Sequence, residues 1–155
     1  MTDAQKTALK LRLKQQAVEI IEQRIAAVTE IMQSAQAAAN EQEKSSAGDK
    51  YETSRAMNQL EKEMFARQLA ANRQELSLLA AVDCSRLRPV AVPGSFIRTK
   101  AACFLIAAGL GKIDAEGLTV FMLSPHAPLA LLLLHKQRGD TVRFNHTDME
   151  IEDVF

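Results

Sequence analysis

The chain has 155 residues, 47% of them apolar, with 19 basic side chains balanced by 19 acidic ones and two cysteines. This is one domain's length with enough apolar mass for a core, and it excludes a disulfide scaffold, a globally basic nucleic-acid binder and a chain disordered throughout. The longest apolar runs, Ala101 to Ala108 and Leu129 to Leu134, fall far short of the roughly 20 residues of a bilayer span, and the amino terminus lacks the apolar core of a secretory signal, so a cytosolic protein with reduced thiols is expected.

Before Pro89 there is no proline, and before Gly94 the only glycine is Gly48. Gly and Pro are the costliest residues in a helix interior, so this stretch, rich in Ala, Gln, Glu, Lys and Leu, predicts two long helices joined by a turn. In the first helix Val18, Ile21, Ile25, Val28, Met32, Ala35 and Ala39 alternate steps of three and four, the heptad spacing of a coiled-coil stripe. Along this stripe the side chains shrink toward the break. In the second helix Met57, Leu60 and Met64 begin a seam that steps over to Phe65, Leu69, Leu76 and Leu79. Gln42 to Gly48, with Ser45 and Ser46, supplies a polar loop that lets the second helix return antiparallel to the first. The expected product is a coiled-coil helical hairpin over residues 1–83 with its tip at about 42–52, its arms on the order of 55 Å long.

From Pro89 onward come all four prolines, five of the six glycines and many β-branched residues. Phe96 to Lys100, Cys103 to Ala107, Leu118 to Leu123, Thr141 to His146 and Met149 to Phe155 read as strands, with turns at Gly139-Asp140 and Thr147-Asp148. Ser124 is expected to cap a helix whose first position is Pro125 and whose residues Leu129 to Leu134 pack on the sheet. Residues 84–155 are therefore expected to form a small antiparallel sheet with one short helix, making the chain α+β and placing this half near the lower size limit for independent folding.

A complete active site is not evident. His126, His135 and His146 have no Cys or carboxylate at zinc-ligand spacing, and Cys84 and Cys103 do not form a C-x-x-C pair. There is no glycine-rich phosphate loop and no G-x-S-x-G elbow. Lys136, Arg138 and Arg143 could touch phosphate but read rather as a solvated turn and strand face. The tip is more informative. Asp49 and Glu52 stand three apart where the second helix begins, a spacing that puts both carboxylates on one face of its first turn, where they could share a hard cation such as Mg²⁺. Asp at N-cap with Glu at N3 is also a capping arrangement, worth about 1 kcal/mol, that needs no catalytic role.

A long antiparallel hairpin with Gly48-Asp49-x-x-Glu52 at its tip, followed by a small sheet domain, resembles the bacterial transcript-cleavage factors of the Gre family. Family members carry a Gly-Asp-x-x-Glu-Asn tip and then an FK506-binding-protein-like (FKBP-like) domain with a Gly-Ser strand start, a Ser-Pro before its helix and a late Gly-Asp turn. Gly94-Ser95, Ser124-Pro125 and Gly139-Asp140-Thr141-Val142 follow the same order here, so the resemblance covers nearly the full chain. It implies that the hairpin enters the secondary channel of RNA polymerase while residues 84–155 dock at the channel rim. Asp49 and Glu52 would then help hold a second Mg²⁺, shared with the polymerase, and orient the water that cleaves backtracked RNA near its 3′ end. Two carboxylates are too few to hold Mg²⁺ tightly, so the polymerase must supply the remaining ligands, and the chain would be an activator rather than an enzyme. Lys44, Lys50 and Arg55 cluster near the tip and could face RNA phosphate or simply be solvated, Lys50 could instead pair with an acid, and Tyr51 could stack on a base. Thr53 stands where Asn is usual in the family, Lys50 replaces an apolar residue, and Arg55-Ala56 replaces a frequent acid and tyrosine.

Those departures keep a second reading open, a channel-binding relative that modulates or inhibits transcription without stimulating cleavage. A third, from the irregular return seam, is a coiled-coil adaptor that dimerises through the hairpin, whereas the leading reading expects a monomer. A prolyl isomerase is disfavoured, because Phe96, Phe104, Phe121, Phe144 and Phe155 are the only aromatics of residues 84–155 and show no sign of an aromatic-lined pocket.

Overall fold

The computed structural model describes residues 1–43 and 48–155, with side chains for residues 1–38, 40–41 and 59–155. Its elements are α1 (Asp3–Glu43), α2 (Gly48–Ala81), β1 (Phe96–Thr99), β2 (Cys103–Ile106), β3 (Gly111–Ala115), β4 (Leu118–Leu123), α3 (Pro128–Leu133), β5 (Thr141–Phe144) and β6 (Thr147–Val154). No helix among the described residues is long and apolar enough to cross a membrane. The chain forms two compact units, Met1–Glu19 with Ser77–Phe155, and Ile20–Leu76.

In the unit Ile20–Leu76 the described part of the expected stripe of α1 is sheltered, and the Ala39 side chain lies outside the described residues. Ile21 and Val28 are buried and Ile25, Met32 and Ala35 half-buried, while the residues between them are mostly exposed. On α2 the sheltered positions include Phe65, Leu69, Asn72 and Leu76, at steps of four and three. Of Met57, Leu60 and Met64, expected to begin that seam, the Met57 side chain lies outside the described residues, and Leu60 and Met64 are instead 67% and 41% exposed. They lie off the face that Phe65 and Leu69 define, because a residue one position before a heptad site is rotated about 100° away from it. Lys62 Nζ on α2 donates to Gln36 Oε1 on α1 at 3.1 Å.

The other unit is built on a six-stranded sheet in the order β3-β4-β2-β1-β6-β5. The sheet is mixed, not antiparallel as expected: β4 runs parallel to β2, with Phe104 opposite Phe121 and Ile106 opposite Leu123. The reason is β3, which sequence patterning overlooks. The chain leaves β2, forms β3 at the sheet edge, and returns as β4 between the two, so β4 repeats the direction of β2. Only Ile113 and Ala115 of β3 point inward, too weak a period-two signal to stand out.

Alternation gives this sheet two apolar faces. On one, Ile97, Phe104, Ile106, Val142, Ile151 and Val154 cluster with Ala130 and Leu133 of α3. On the other, Phe96, Leu105, Ile113, Val120 and Met122 are just as buried, and so are Leu9, Leu13 and Ala17 of α1. The first turns of α1 are tied along this second face. Lys6 Nζ reaches Asp153 Oδ2 of β6 at 2.9 Å, Arg12 pairs with Glu116 in the β3–β4 turn, and Gln16 Nε2 donates to the Asp114 carbonyl of β3 at 3.3 Å. From Lys6 to Gln16 the helix advances about 15 Å, comparable with the roughly 19 Å that four strand spacings require. A capping box starts it: the Gln5 N–H donates to Thr2 Oγ1 at 3.2 Å and the Thr2 N–H to Gln5 Oε1 at 2.8 Å.

Two turns differ from expectation. α3 begins at Pro128 with Ala127 as N-cap and no side-chain cap, rather than at Pro125 behind Ser124. A helix starting at Pro125 would need an N–H from Pro128 for the Ser124 carbonyl, and proline has none. Ser124 instead closes a turn, its Oγ accepting from the His126 N–H at 3.2 Å. The β5–β6 turn is Asn145-His146, with φ of +49° and +63°, whereas Thr147 and Asp148 belong to β6 and face Phe144 and Arg143. Two-residue hairpin turns favour two left-handed residues, and Asn tolerates that conformation best after Gly. Gly139, with φ of +92°, and Asp140, whose Oδ2 accepts from the Gln137 N–H at 2.8 Å, do form the expected turn. Gly94 has φ of +95°, and a Cβ there would stand 2.2 Å from the Asp83 carbonyl oxygen, so only glycine lets β1 begin this close to the end of α2.

Candidate functional site

α2 begins at Gly48, so residues 49 and 52 fall in its first turn, where free backbone N–H groups and the positive end of the helix dipole favour carboxylates. Lys44 lies outside the described residues, as do the side chains of Asp49, Lys50, Tyr51, Glu52 and Arg55. Among the described residues no group of three or more His, Cys, Asp or Glu side chains is arranged to hold a metal ion. His126, His135 and His146 are all exposed, and Cys84 and Cys103 are free thiols.

The strongest polar cluster among the described residues is one that sequence reasoning missed, and it lies at the start of α1. Lys6, Lys10 and Lys14 recur every four residues, and each reaches a distant part of the chain. Lys6 meets Asp153 and lies 4.7 Å from the centroid of the Phe155 ring. Lys10 is 1% exposed and its Nζ donates to the Arg86 carbonyl at 2.6 Å. Lys14 Nζ donates to the carbonyls of Val82 at 2.6 Å and Ala80 at 3.4 Å, groups that the end of α2 leaves unpaired. An ammonium there also complements the negative pole of that helix. The sequence signal was present as a lysine row at helical spacing beside Leu9 and Leu13, but such rows usually face water.

These lysines set the local electrostatics. Burial holds the Lys10 ammonium below the ordinary lysine range, with Cys84 and Asp83 opposing the shift and Arg88 adding to it. Burial likewise pushes the Cys84 thiol up against the pull of Lys14 and Lys10, which leaves it a poor nucleophile. Asp83 is held low by the Ser85 hydroxyl and N–H, which donate to its Oδ1 at 2.6 and 2.9 Å. The cluster can fix the path of the chain from α2 to β1; bonded to peptide carbonyls, Lys10 and Lys14 are positioning groups rather than reactive ones. No protein-family model, curated protein or solved structure matches this chain.

Proposed function

We propose that this chain is a Gre-type transcript-cleavage factor, acting as a monomer in the bacterial cytoplasm to rescue backtracked RNA polymerase. The observation that carries the reading is that a helix of 41 residues ends at Glu43 and one of 34 begins at Gly48, so that the segment with Asp49 and Glu52 opens the second helix. The heptad recurrence of sheltered positions on both helices, together with the Lys62–Gln36 bond, supports an antiparallel coiled-coil hairpin with that segment as its tip. The sheet with its short helix suits an FKBP-like domain that docks on the polymerase.

In this reading the tip enters the secondary channel and donates two hard oxygen ligands to a site the polymerase completes. Mg²⁺ held there would lower the pKa of bound water and neutralise phosphate charge. Asp49 and Glu52 would orient that water toward the phosphodiester. Lys44, Lys50 and Arg55 would meet RNA phosphate, and Tyr51 would stack on a base.

The test is RNA cleavage by a backtracked bacterial elongation complex at limiting Mg²⁺. Wild-type protein should accelerate cleavage, and the Asp49→Asn/Glu52→Gln variant should lose about 100-fold of that acceleration or more while still binding. Binding without acceleration by the wild type would transfer the reading to a channel-occupying modulator, and absence of binding would overturn the polymerase as partner.

A further inference from the structure

The sheet has two edge strands, β3 and β5. The β3–β4 turn is Glu116-Gly117, with φ of +53° and +79°, and Ala115 pairs with Leu118 beside it. Next to a two-residue turn the flanking pair exchanges its peptide hydrogen bonds, and bonded and non-bonded pairs then alternate along the strands. Gly111, Ile113 and Ala115 therefore direct their peptide groups to β4, and Lys112 and Asp114 turn theirs outward. Of these outward groups only the Asp114 carbonyl has a partner among the described residues, Gln16 Nε2 at 3.3 Å, and it keeps a second lone pair. The strand is also uncovered at its start, where a Cβ on Gly111 would meet nothing within 4 Å.

Charge on an open edge ordinarily repels a second strand. On β3 the exposed charges alternate in sign, Lys112 then Asp114, on the face opposite to Ile113 and Ala115. There Lys112 Nζ lies 5.7 Å from the centroid of the Phe121 ring, and Asp114 Oδ1 accepts from Thr119 Oγ1 at 2.7 Å. An antiparallel copy of the same strand, related by a two-fold axis at Ile113, sets Lys112 opposite Asp114 of the second copy and Asp114 opposite its Lys112. The outward peptide groups then meet in bonded pairs, and Ile113 faces its own copy as a β-branched cross-strand pair. Neighbouring registers lack this match. An axis at Lys112 opposes two lysines, an axis at Asp114 opposes two aspartates, and a one-residue slip sets outward groups against groups already bonded to β4. The other edge strand, β5, turns Thr141 and Arg143 outward and has no such complement.

From this self-complementarity we infer that the outer edge of β3 is a homodimer surface, at which two copies of the free chain join their sheets antiparallel through Gly111–Ala115. This edge is at the opposite end of the sheet from β5, the strand that α3 contacts, and the inference does not depend on the role of the tip. A few peptide hydrogen bonds and exposed ion pairs make a small interface, so the pairing is weak and the dilute chain is largely monomeric.

Sedimentation equilibrium of the full chain at up to about 0.5 mM tests it. Wild type should show a monomer–dimer equilibrium. Lys112→Glu sets Glu opposite Asp, Asp114→Lys sets Lys opposite Lys, and each variant alone should dimerise at least about tenfold more weakly. An equimolar mixture of the two variants restores opposite charges at both pairs and should recover wild-type association to within about threefold. Recovery on mixing cannot come from misfolding. A wild type that stays monomeric throughout, single variants that associate as tightly as wild type, or a mixture no tighter than its components overturns the proposal.

Discussion

A lysine that is 1% exposed, with its ammonium against one backbone carbonyl, carries a desolvation cost that the bond offsets only in part. Because the folded-state pKa of Lys10 lies below its unfolded value, the folded protein releases this proton first as pH rises. Between the lowered value and the ordinary lysine value the unfolded chain therefore binds more protons, and stability increases with pH. The gain is complete above the ordinary lysine value and is lost as pH falls through the lowered one. Lys10→Met keeps the length of the side chain and removes the charge. It should leave stability at pH 7 within about 1 kcal/mol of wild type or raise it, and it should remove the Lys10 contribution to the alkaline slope. Urea denaturation of both proteins at neutral and alkaline pH measures this, and an unchanged slope in the variant would show that Lys10 does not titrate differently on folding.

At the scale of elements, α1 serves two environments with one periodicity. Leu9, Leu13 and Ala17 lie with the sheet, whereas Ile25, Val28, Met32 and Ala35 form the sheltered stripe of the other unit. The same residue type should therefore differ sharply in worth along the two long helices. Leu13→Ala should cost about 2–5 kcal/mol, since it opens space in a packed face. Leu60→Ala, on the exposed side of α2, should stay within about 0.5 kcal/mol. Chemical denaturation midpoints check both, and similar losses would mean that Leu60 is covered in solution. The stripe of α1 is legible in the sequence because its spacing is local. The start of the α2 seam is not, since Met64 and Phe65 are adjacent apolar residues and periodicity alone does not choose between them.

For the whole molecule, the consequence concerns which residues make a folding unit. Residues 84–155 include every described strand, yet the face with Phe96, Leu105, Val120 and Met122 is buried in a unit that also contains Met1–Glu19 and Ser77 onward. A fragment of residues 84–155 should therefore expose that face and behave as a compact state without fixed packing. Its amide NMR spectrum should be poorly dispersed and it should bind a hydrophobic dye, while the full chain does neither. A fragment with a dispersed spectrum and a cooperative melt would show that α1 is dispensable for the sheet.

Short-range grammar was enough for the two long helices, five of the six described strands and the Gly139-Asp140 turn, because propensity and strand alternation act over a few residues. The spacing of Asp49 and Glu52 is equally local, and their side chains lie outside the described residues. Folding in three dimensions was needed for the rest. Strand β3 signals weakly by itself but makes β4 parallel to β2, Pro128 moves the start of α3, and Lys10 becomes buried through a bond to a carbonyl 76 residues away. Sheet direction and the burial of a charge depend on which distant segments meet, and a local pattern of residue types carries little information about such meetings.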